Sequence, residues 1–513
     1  MRTIPSLVRE AAEREGTALV VGDRRWSWSE FTHDVERSAR AFVASGLAFG
    51  DRVAIWAPNS AEWIFAALGA QCAGGTIVPI NTRFKGVEAA YVIARSGASF
   101  LVTSGDFLGV DYREMLASSA ADLPDLAETI DIRQWNDFMA RGDTITVAMV
   151  HSRTALVTED HLSDIIFTSG TTGRPKGVMS RHGQTCEVFR VWAEVVGLRE
   201  TDRYLIVNPF FHTFGYKAGF LACLITGATI VPEPVFDLAT ILGRVADERI
   251  TVLPGPPTLY LEILDHPDRE RHDLTSLRLA VTGAAAVPEE MIVRMRRELT
   301  FSTILTAYGL TESTGVVTMC RPDDDARTIS STSGRAIPGV EVRVVDDGGA
   351  EVAAGTPGEI LCRGYNVMPG YWDDPVATAE AVDADGWLRT GDIGVMNARG
   401  YVAITDRKKD MFIVGGFNAY PAEIENLLLG HPDVARAAVV GVPDDRLGEV
   451  GAAFVVLHPG TDLDADRLIT WCRRHMANYK VPRRIEFVDA LPVNASGKVL
   501  KNELRARPTI DHS

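Results

Sequence analysis

The stretch Phe167-Thr168-Ser169-Gly170-Thr171-Thr172-Gly173-Arg174-Pro175-Lys176-Gly177 decides how the rest of the chain is interpreted. It follows the apolar run Ile165-Ile166-Phe167, which predicts a buried strand ending in a turn. Its glycines let successive backbone N–H groups point at an anion, its hydroxyls add donors, and its lysine adds a charge suited to phosphate. The spacing departs from the common G-x-x-x-x-G-K-[ST] loop, because Pro175 precedes the lysine and Gly177 follows it. The stretch predicts a less common phosphate-binding loop, with a Gly/Thr surface loop as the alternative.

Length and composition indicate a globular protein of more than one domain. The chain has 513 residues, 46% of them hydrophobic and 23% charged, and a net charge of -16. That charge argues against a general nucleic-acid or anionic-membrane binder, but not against a phosphate ligand held by local groups. The six cysteines show no CxxC pair or metal spacing, the N-terminus has no signal-peptide core, and the most apolar segment, 218–232, is too short to span a membrane. We expect a cytoplasmic protein with no nucleic-acid partner and no membrane span.

Alternating helix and strand patterns predict an α/β fold. Ser27-Trp28-Ser29-Glu30 is a capping box that opens a helix to about Ser45, and strands at 52–56 and 76–80 flank a second helix. A strand–helix–strand of this length implies a right-handed parallel unit. The pattern resumes after the loop, with an apolar helix at about 217–226 and a strand at 250–253. Segment 110–150 is less readable, and the chain beyond Leu491 is predicted to be loop and tail.

The charged run Asp406-Arg407-Lys408-Lys409-Asp410 marks the predicted domain boundary. Before it, from about residue 330, short strands between Gly/Pro turns predict a β-rich subdomain. After it, helix and strand patterns predict a compact α+β unit. We therefore predict a large N-terminal domain of layered α/β subdomains plus the β-rich subdomain at 1–405, a hinge at 406–409, and a small C-terminal domain at 410–513.

A series of motifs follows the loop in a fixed order: Pro209-Phe210-Phe211-His212, Thr282-Gly283-Ala284-Ala285, Ala307-Tyr308-Gly309-Leu310-Thr311-Glu312, Leu388-Arg389-Thr390-Gly391-Asp392, Gly415-Gly416-Phe417-Asn418-Ala419-Tyr420-Pro421, and Asn494-Ala495-Ser496-Gly497-Lys498. This order closely resembles the adenylate-forming superfamily, which includes acyl-CoA synthetases, luciferases and peptide-synthetase adenylation domains. The resemblance runs essentially end to end. It implies that a carboxylate attacks the α-phosphorus of ATP and that the resulting acyl-adenylate is passed to a thiol.

The resemblance assigns an ATP site to residues from several motifs. Glu312 would ligate Mg²⁺, which prefers few carboxylates plus phosphate oxygens. The alternative for Glu312 is a first-turn glutamate of a helix, stabilised by the dipole. Tyr308 would face the adenine, although such a tyrosine is more often core packing, and Asp392 would accept from the ribose, although an aspartate in a turn is the commoner case. The full predicted ATP-binding set is Thr168, Ser169, Gly170, Thr171, Thr172, Lys176, Gly283, Ala284, Tyr308, Thr311, Asp392 and Arg407.

The predicted C-terminal domain contributes the lysine that is assigned the central catalytic role. By itself, Lys498 in a Ser-Gly-Lys loop would be solvent-exposed, but it resembles the family lysine that bridges the substrate carboxylate and the α-phosphate. The resemblance implies that this domain is mobile and rotates about Lys409 after pyrophosphate leaves. Gly415 and Gly416 would then line the pantetheine tunnel of coenzyme A. The predicted catalytic residues are Lys498, Thr311, Glu312 and His212.

The predicted acyl pocket is mostly apolar, which favours a hydrophobic acid. It comprises Trp192, His212, Phe214, Tyr216 and Gly309, and a packed histidine is the alternative for His212. The stretches 208–219, 252–257 and 318–322 resemble one actinobacterial branch that activates the methyl-hexahydroindanedione propionate left by steroid degradation. The alternatives are a medium- or long-chain fatty acid as substrate, transfer to a carrier protein instead of free CoA, and a non-catalytic sensor on the same fold. For the assembly, the candidate is a homodimer.

Overall fold

The computed structural model describes residues 2–168, 174–283, 287–407, 412–492, 499 and 501–506. Its contacts divide the chain into two compact units. The first unit comprises Met1–Thr82, Tyr91–Phe167 and Gly177–Asp406, and the second comprises Arg83–Ala90, Thr168–Lys176 and Arg407–Ser513. Residues 408 and 409 of the predicted hinge at 406–409 lie outside the described residues, and the hinge stays a prediction.

A six-stranded sheet carries the two strands that flank the predicted phosphate loop. The apolar runs at 52–56 and 76–79 pair in parallel and are separated by a helix, as the strand–helix–strand pattern predicted. Because this helix packs against both the sheet and the helices Ile4–Ala11 and Trp28–Ala44, nearly every one of its residues is buried. In order across the sheet the strands are Glu128–Asp131, Phe100–Thr103, Arg52–Trp56, Thr76–Pro79, Leu162–Thr168 and Lys176–Arg181.

Two further four-stranded sheets of the first unit are joined through a single residue. Val252 forms parallel bridges to both Tyr204 and Leu279, so the predicted strand at 250–253 is reduced to this bridge. One sheet has the order Arg24–Ser27, Thr17–Val21, Thr229–Pro232 and Arg203–Ile206, and the other the order Leu279–Thr282, Thr303–Tyr308, Thr318–Met319 and Arg335–Ala336.

The predicted β-rich subdomain is present as an antiparallel sheet of four strands. Its strands follow one another in chain order, and the connection between the second and the third contains the helix Pro375–Ala381. They are Val340–Val345, Pro357–Gly364, Leu388–Met396 and Val402–Arg407.

The second unit is an α+β unit with its own hydrophobic core. Its sheet has the order Phe417–Ala419, Phe412–Val414, Gly448–Leu457 and Val434–Asp444, and Arg484–Phe487 pairs in parallel with Gly448–Leu457. The core includes Val440, Phe454 and Leu504. Leu504 belongs to the short helix Lys501–Arg505, which the prediction of a loop and tail beyond Leu491 missed.

Helices begin where the sequence supplies a cap. Ser27 and Glu30 form the predicted capping box, and Ser60 accepts from Trp63 N–H at the next helix. The helices are Ile4–Ala11, Trp28–Ala44, Ala61–Cys72, Gly86–Ser96, Tyr112–Ala117, Trp135–Arg141, Val147–Thr154, His182–Val196, Thr213–Gly215, Ala222–Thr226, Leu238–Asp247, Pro257–Asp265, Glu289–Glu298, Ala326–Ser331, Pro375–Ala381, Pro421–Leu429, Ala465–His475 and Lys501–Arg505.

The predicted α/β fold class, with a large N-terminal and a small C-terminal part, is confirmed. Among the helices of the described residues, none is long and apolar enough to cross a membrane. The predicted apolar helix at 217–226 is correct in place but begins as a π-helical turn, Tyr216–Leu221, in which Gly219 has non-helical backbone angles. Such turns are frequent at functional sites, and this one begins at Tyr216, one of the predicted acyl-pocket residues.

Candidate active site

The predicted phosphate loop connects two neighbouring strands of the six-stranded sheet. Thr168 is the last residue of one strand and Lys176 the first of the next, and both side chains are half-buried. Ser169, Gly170, Thr171 and Thr172 lie outside the described residues. A Cβ atom at Gly177 would lie 2.8 Å from the side chain of Ile165, so the close approach of the two strands requires glycine there. The structure therefore places both ends of the predicted loop side by side.

Glu312 and Thr311 lie in a tight turn after the strand Thr303–Tyr308. The turn is closed by a hydrogen bond from Gly315 N–H to the Leu310 carbonyl, 2.9 Å, after which the chain pairs back on the strand it left. Gly315 has a φ of +102°, and a Cβ atom at Gly309 would lie 2.2 Å from the Gly315 carbonyl oxygen. These two glycines make the turn possible and hold Glu312 at its tip.

The carboxylate of Glu312 has a partner that the sequence analysis missed. The Tyr371 hydroxyl donates a hydrogen bond to Glu312 Oε1 over 2.9 Å, and Met368 N–H donates to the Glu312 carbonyl over 2.8 Å. Tyr371 follows the glycine of Gly370-Tyr371-Trp372, and nothing in that tripeptide alone points to a residue 59 positions earlier.

Tyr308 and Asp392, predicted from the resemblance alone, contact each other directly. The Tyr308 hydroxyl donates to Asp392 Oδ2 over 2.7 Å, and the Thr390 hydroxyl accepts from Asp392 N–H over 3.1 Å. Burial, followed by the neighbouring Asp392 charge, raises the pKa of Tyr308 well above its ordinary value, so the phenol stays a donor. The pair fixes an aromatic ring beside a carboxylate.

The remaining predicted ATP residues are only partly within the described chain. Gly283 follows the strand Leu279–Thr282, and a Cβ atom there would lie 2.8 Å from the Ala307 carbonyl oxygen, next to Tyr308. Arg407 ends the strand Val402–Arg407, but its side chain, like Ala284, lies outside the described residues.

The acyl wall, residues 212–215 with the predicted pocket residues His212 and Phe214, follows a segment that is held by a buried asparagine. The Asn59 amide donates to the carbonyls of Asn208 and Glu233, and Asn59 Oδ1 accepts from Phe210 N–H over 2.8 Å. His212 Nδ1 in turn accepts from Phe214 N–H over 3.2 Å. The hydrogen bonds from Asn59 therefore fix the backbone of the segment that leads to His212.

The His212 side chain has an exposed surface, but many protein atoms lie around its ring. The resulting desolvation lowers the pKa of His212 below its ordinary value. Because Nδ1 accepts a hydrogen bond, the neutral ring carries its proton on Nε2, as inferred from that bond. A neutral imidazole with one donor suits a wall that faces an apolar acid.

The other predicted acyl residues differ in exposure. Phe214 is half-buried and Gly309 exposed, whereas Trp192 and Tyr216 have almost no accessible surface. Tyr216 packs against Trp63 and Phe220 and lies behind the wall in this structure. A Cβ atom at Gly315 would lie 3.2 Å from the Thr213 side chain, so the acyl wall and the Glu312 turn approach each other closely.

A fully buried ion pair lies behind this wall. Lys217 Nζ is 2.8 Å from Asp164 Oδ1, in a geometry that is not that of a well-aligned hydrogen bond, and donates to Ser180 Oγ over 2.8 Å. Asp164 Oδ2 accepts from the Ser163 hydroxyl. Burial lowers the pKa of Lys217, while the Asp164 charge opposes that shift. Lys217 thus connects the strands Leu162–Thr168 and Lys176–Arg181, which flank the phosphate loop.

We expect Lys217→Met to lower the free energy of unfolding by about 3–5 kcal/mol, because it leaves the Asp164 carboxylate buried without a cation. Adding Asp164→Asn should recover most of the loss, since a pair replaced as a whole is often nearly neutral. Urea denaturation of the wild type, the single and the double variant measures both effects. A double variant as unstable as the single one would contradict this account.

Of the site residues predicted in the C-terminal part, the structure describes only the glycine pair. Lys498 and Lys409 lie outside the described residues. Gly415 and Gly416 are exposed, have φ of +54° and +84°, and join the strands Phe412–Val414 and Phe417–Ala419. Two successive left-handed residues form the type of turn that favours glycine, so their first role is to close this hairpin.

Comparison with known proteins gives the context of this geometry. The chain is 52% identical to a 3-(7a-methyl-1,5-dioxo-octahydro-1H-inden-4-yl)propanoyl:CoA ligase of Rhodococcus jostii, with 98% of both chains covered. A ligase of the same name from Mycobacterium tuberculosis is 50% identical, covering 98% of this chain and 99% of that one.

Solved structures share the fold over nearly the whole chain. An o-succinylbenzoate CoA synthetase from Bacillus subtilis superposes with a TM-score of 0.84 at 28% identity, covering 98% of each chain. An amide bond synthetase from Marinactinospora thermotolerans gives the same TM-score at 30% identity, with 98% and 99% covered. The model of the AMP-binding enzyme family matches residues 8–372, and that of the AMP-binding enzyme C-terminal domain matches residues 423–498. The chain therefore belongs to the AMP-binding enzyme family.

Proposed function

We propose that this protein is an ATP-dependent ligase that joins 3-(7a-methyl-1,5-dioxo-octahydro-1H-inden-4-yl)propanoate, a bicyclic acid derived from steroids, to coenzyme A. The substrate assignment rests on two relatives that agree. Each is at least 50% identical over 98% of this chain, and each is named for that acyl-CoA. The apolar segment at 208–219 and the neutral His212 suit a ring system without charge.

The reaction has two steps at one site. In the first, a carboxylate oxygen of the acid attacks the α-phosphorus of ATP, the bond to the bridging oxygen breaks, and pyrophosphate leaves. In the second, the CoA sulfur attacks the carbonyl carbon of the acyl-adenylate, the thiol proton is lost, and AMP leaves with the bonding electrons. Both steps balance without an oxidant or reductant.

The chain's residues have separate tasks in the first step. The loop between Thr168 and Lys176 holds the β- and γ-phosphates, and Lys498 bridges the carboxylate and the α-phosphate, two anions that otherwise repel each other. Tyr308 and Asp392 receive the adenosine, with Thr311 near the α-phosphate and Arg407 near the ribose. Donors and cations at these positions would stabilise the negative charge that develops during the reaction.

The residues present fit a magnesium ion that arrives with ATP. Glu312 offers one oriented carboxylate, and within the described residues there is no group of three or more metal-ligating side chains. One or two carboxylates with phosphate oxygens are the donor set that Mg²⁺ uses at nucleotide sites. Bound there by Glu312, Mg²⁺ would neutralise charge on the phosphate oxygens.

A cytoplasmic location is part of the proposal. All six cysteines are buried free thiols, which fits a reducing compartment, and ATP and coenzyme A are available there.

The proposed substrate is tested by kcat/KM for thioester formation with the bicyclic propanoate, octanoate, palmitate and benzoate. We expect the bicyclic acid to exceed each of the others by at least about 100-fold, because a pocket shaped for a fused ring leaves a chain poorly packed. Equal or better turnover of octanoate or palmitate would keep the chemistry and discard the steroid-derived substrate. If no acid gives a thioester with CoA, the proposal that coenzyme A is the acyl acceptor is wrong.

A further inference from the structure

Tyr371 is the one described side chain seen to hold the carboxylate of Glu312. Its hydroxyl donates to Glu312 Oε1 over 2.9 Å, although the two residues are 59 positions apart. Both side chains are half-buried, so the bond is formed at the rim of the core and not deep inside it. A donor at this place restricts the rotation of the carboxylate about its terminal bond.

The backbone around Tyr371 is fixed on the strand that leaves the phosphate loop. Trp372 N–H donates to the Gly177 carbonyl over 2.7 Å, and Met179 N–H donates to the Gly370 carbonyl over 3.1 Å. Tyr371 itself forms an antiparallel bridge with Val178. Gly177 directly follows Lys176, so Tyr371 is anchored within a few residues of the loop's end.

The same segment also fixes the backbone of the Glu312 turn. Met368 N–H donates to the Glu312 carbonyl over 2.8 Å, and the Thr314 hydroxyl donates to the Asn366 carbonyl over 2.8 Å. On its far side, Tyr371 N–H donates to the Thr378 hydroxyl over 2.9 Å. The segment 366–372 therefore holds both the main chain and the carboxylate of Glu312 relative to the strand after the loop.

We propose that Tyr371 is a positioning residue that sets the orientation of the Glu312 carboxylate relative to the strand segment 177–179, so that a divalent metal ion entering with ATP meets a ligand already in place. This inference rests on the proposed role of Glu312 as the metal ligand. Hydrogen bonds to ligating carboxylates fix their orientation, and their loss typically weakens metal binding by 10–100-fold. Tyr371 would touch neither the metal nor the reacting atoms.

The test uses Mn²⁺ as the probe, with a non-hydrolysable ATP analogue and the full chain. We expect Tyr371→Phe, which removes only the hydroxyl, to raise the Kd for Mn²⁺ by about 10-fold, measured by electron paramagnetic resonance. In steady-state assays the KM for Mg²⁺ should rise while the KM for the acid stays unchanged. Binding of the analogue in EDTA, measured calorimetrically, should equal that of the wild type.

Tyr401→Phe is the matched control, because the Tyr401 hydroxyl also donates to a carboxylate, Asp324 Oδ1, over 2.7 Å. It should leave Mn²⁺ binding unchanged. Wild-type Mn²⁺ affinity in Tyr371→Phe, or an equal loss of metal-free analogue binding, would overturn the inference.

Glu312→Gln separates this inference from the proposal beneath it. If Glu312→Gln weakens Mn²⁺ binding and Tyr371→Phe does not, the positioning role is wrong and the metal role of Glu312 stands. If Glu312→Gln leaves Mn²⁺ binding unchanged, the metal role is wrong and the inference fails with it.

Discussion

Lys498→Met should lower acid-dependent adenylation by about 10²–10³-fold, the usual cost of removing one preorganised group that stabilises transition-state charge. The variant keeps the length and apolar stem of the side chain but cannot bridge the carboxylate and the α-phosphate. Pyrophosphate release from MgATP and the acid measures this step. Thioester formation from preformed acyl-adenylate and CoA measures the second step, which should stay within about threefold of the wild type, because the lysine has no task in it.

Lys501→Met is the matched control for this experiment. Lys501 lies three residues further along the chain and pairs with Glu425 at 2.8 Å, so its charge has a structural partner. We expect near-normal adenylation in Lys501→Met. Unimpaired adenylation in Lys498→Met, or an equal loss of both steps, would show that Lys498 does not have the proposed role.

Glu312→Gln should lower the rate of adenylation by about 100-fold and raise the KM for Mg²⁺. The amide has nearly the same shape as the carboxylate but lacks the charge that a hard cation prefers in its ligands. The rate of pyrophosphate release, followed over a range of Mg²⁺ concentrations, separates the two effects. Added Mg²⁺ should restore part of the rate and not all of it.

Glu341→Gln controls for the loss of a glutamate charge elsewhere. Glu341 forms an exposed ion pair with Arg363, and such pairs contribute little. The Mg²⁺ dependence of this variant should equal that of the wild type. If Glu312→Gln also shows an unchanged Mg²⁺ dependence, the carboxylate has another role.

Much of the fold could be predicted because its signals are local. The capping box at Ser27 begins a helix in the structure, and the apolar runs at 52–56 and 76–79 form parallel strands. Such signals depend on residues within one or two turns of each other. The helix Lys501–Arg505 was missed because it is short and depends on burying Leu504 in the core of the second unit, which is a tertiary contact.

The candidate site was predictable only where a motif could be matched. Tyr308 and Asp392 were assigned by resemblance; the structure joins them by a hydrogen bond, and their roles toward ATP stay predictions. No role was predicted for Tyr371 or Lys217, because each contacts a partner more than fifty residues away in the sequence. A lysine in an apolar segment gives no sign of a buried aspartate on another strand, and a tyrosine after glycine gives no sign of a distant glutamate.

The most direct test of the central claim follows one oxygen atom. The bicyclic propanoate is labelled with ¹⁸O in its carboxyl group and incubated with the enzyme, MgATP and coenzyme A, and the products are analysed by mass spectrometry. Attack of the carboxylate on the α-phosphorus, followed by attack of the thiol on the carbonyl carbon, leaves one labelled oxygen in AMP and the other in the thioester. The account predicts this distribution. Unlabelled AMP, or label in inorganic phosphate, would contradict it, because the acid would then not have passed through an acyl-adenylate.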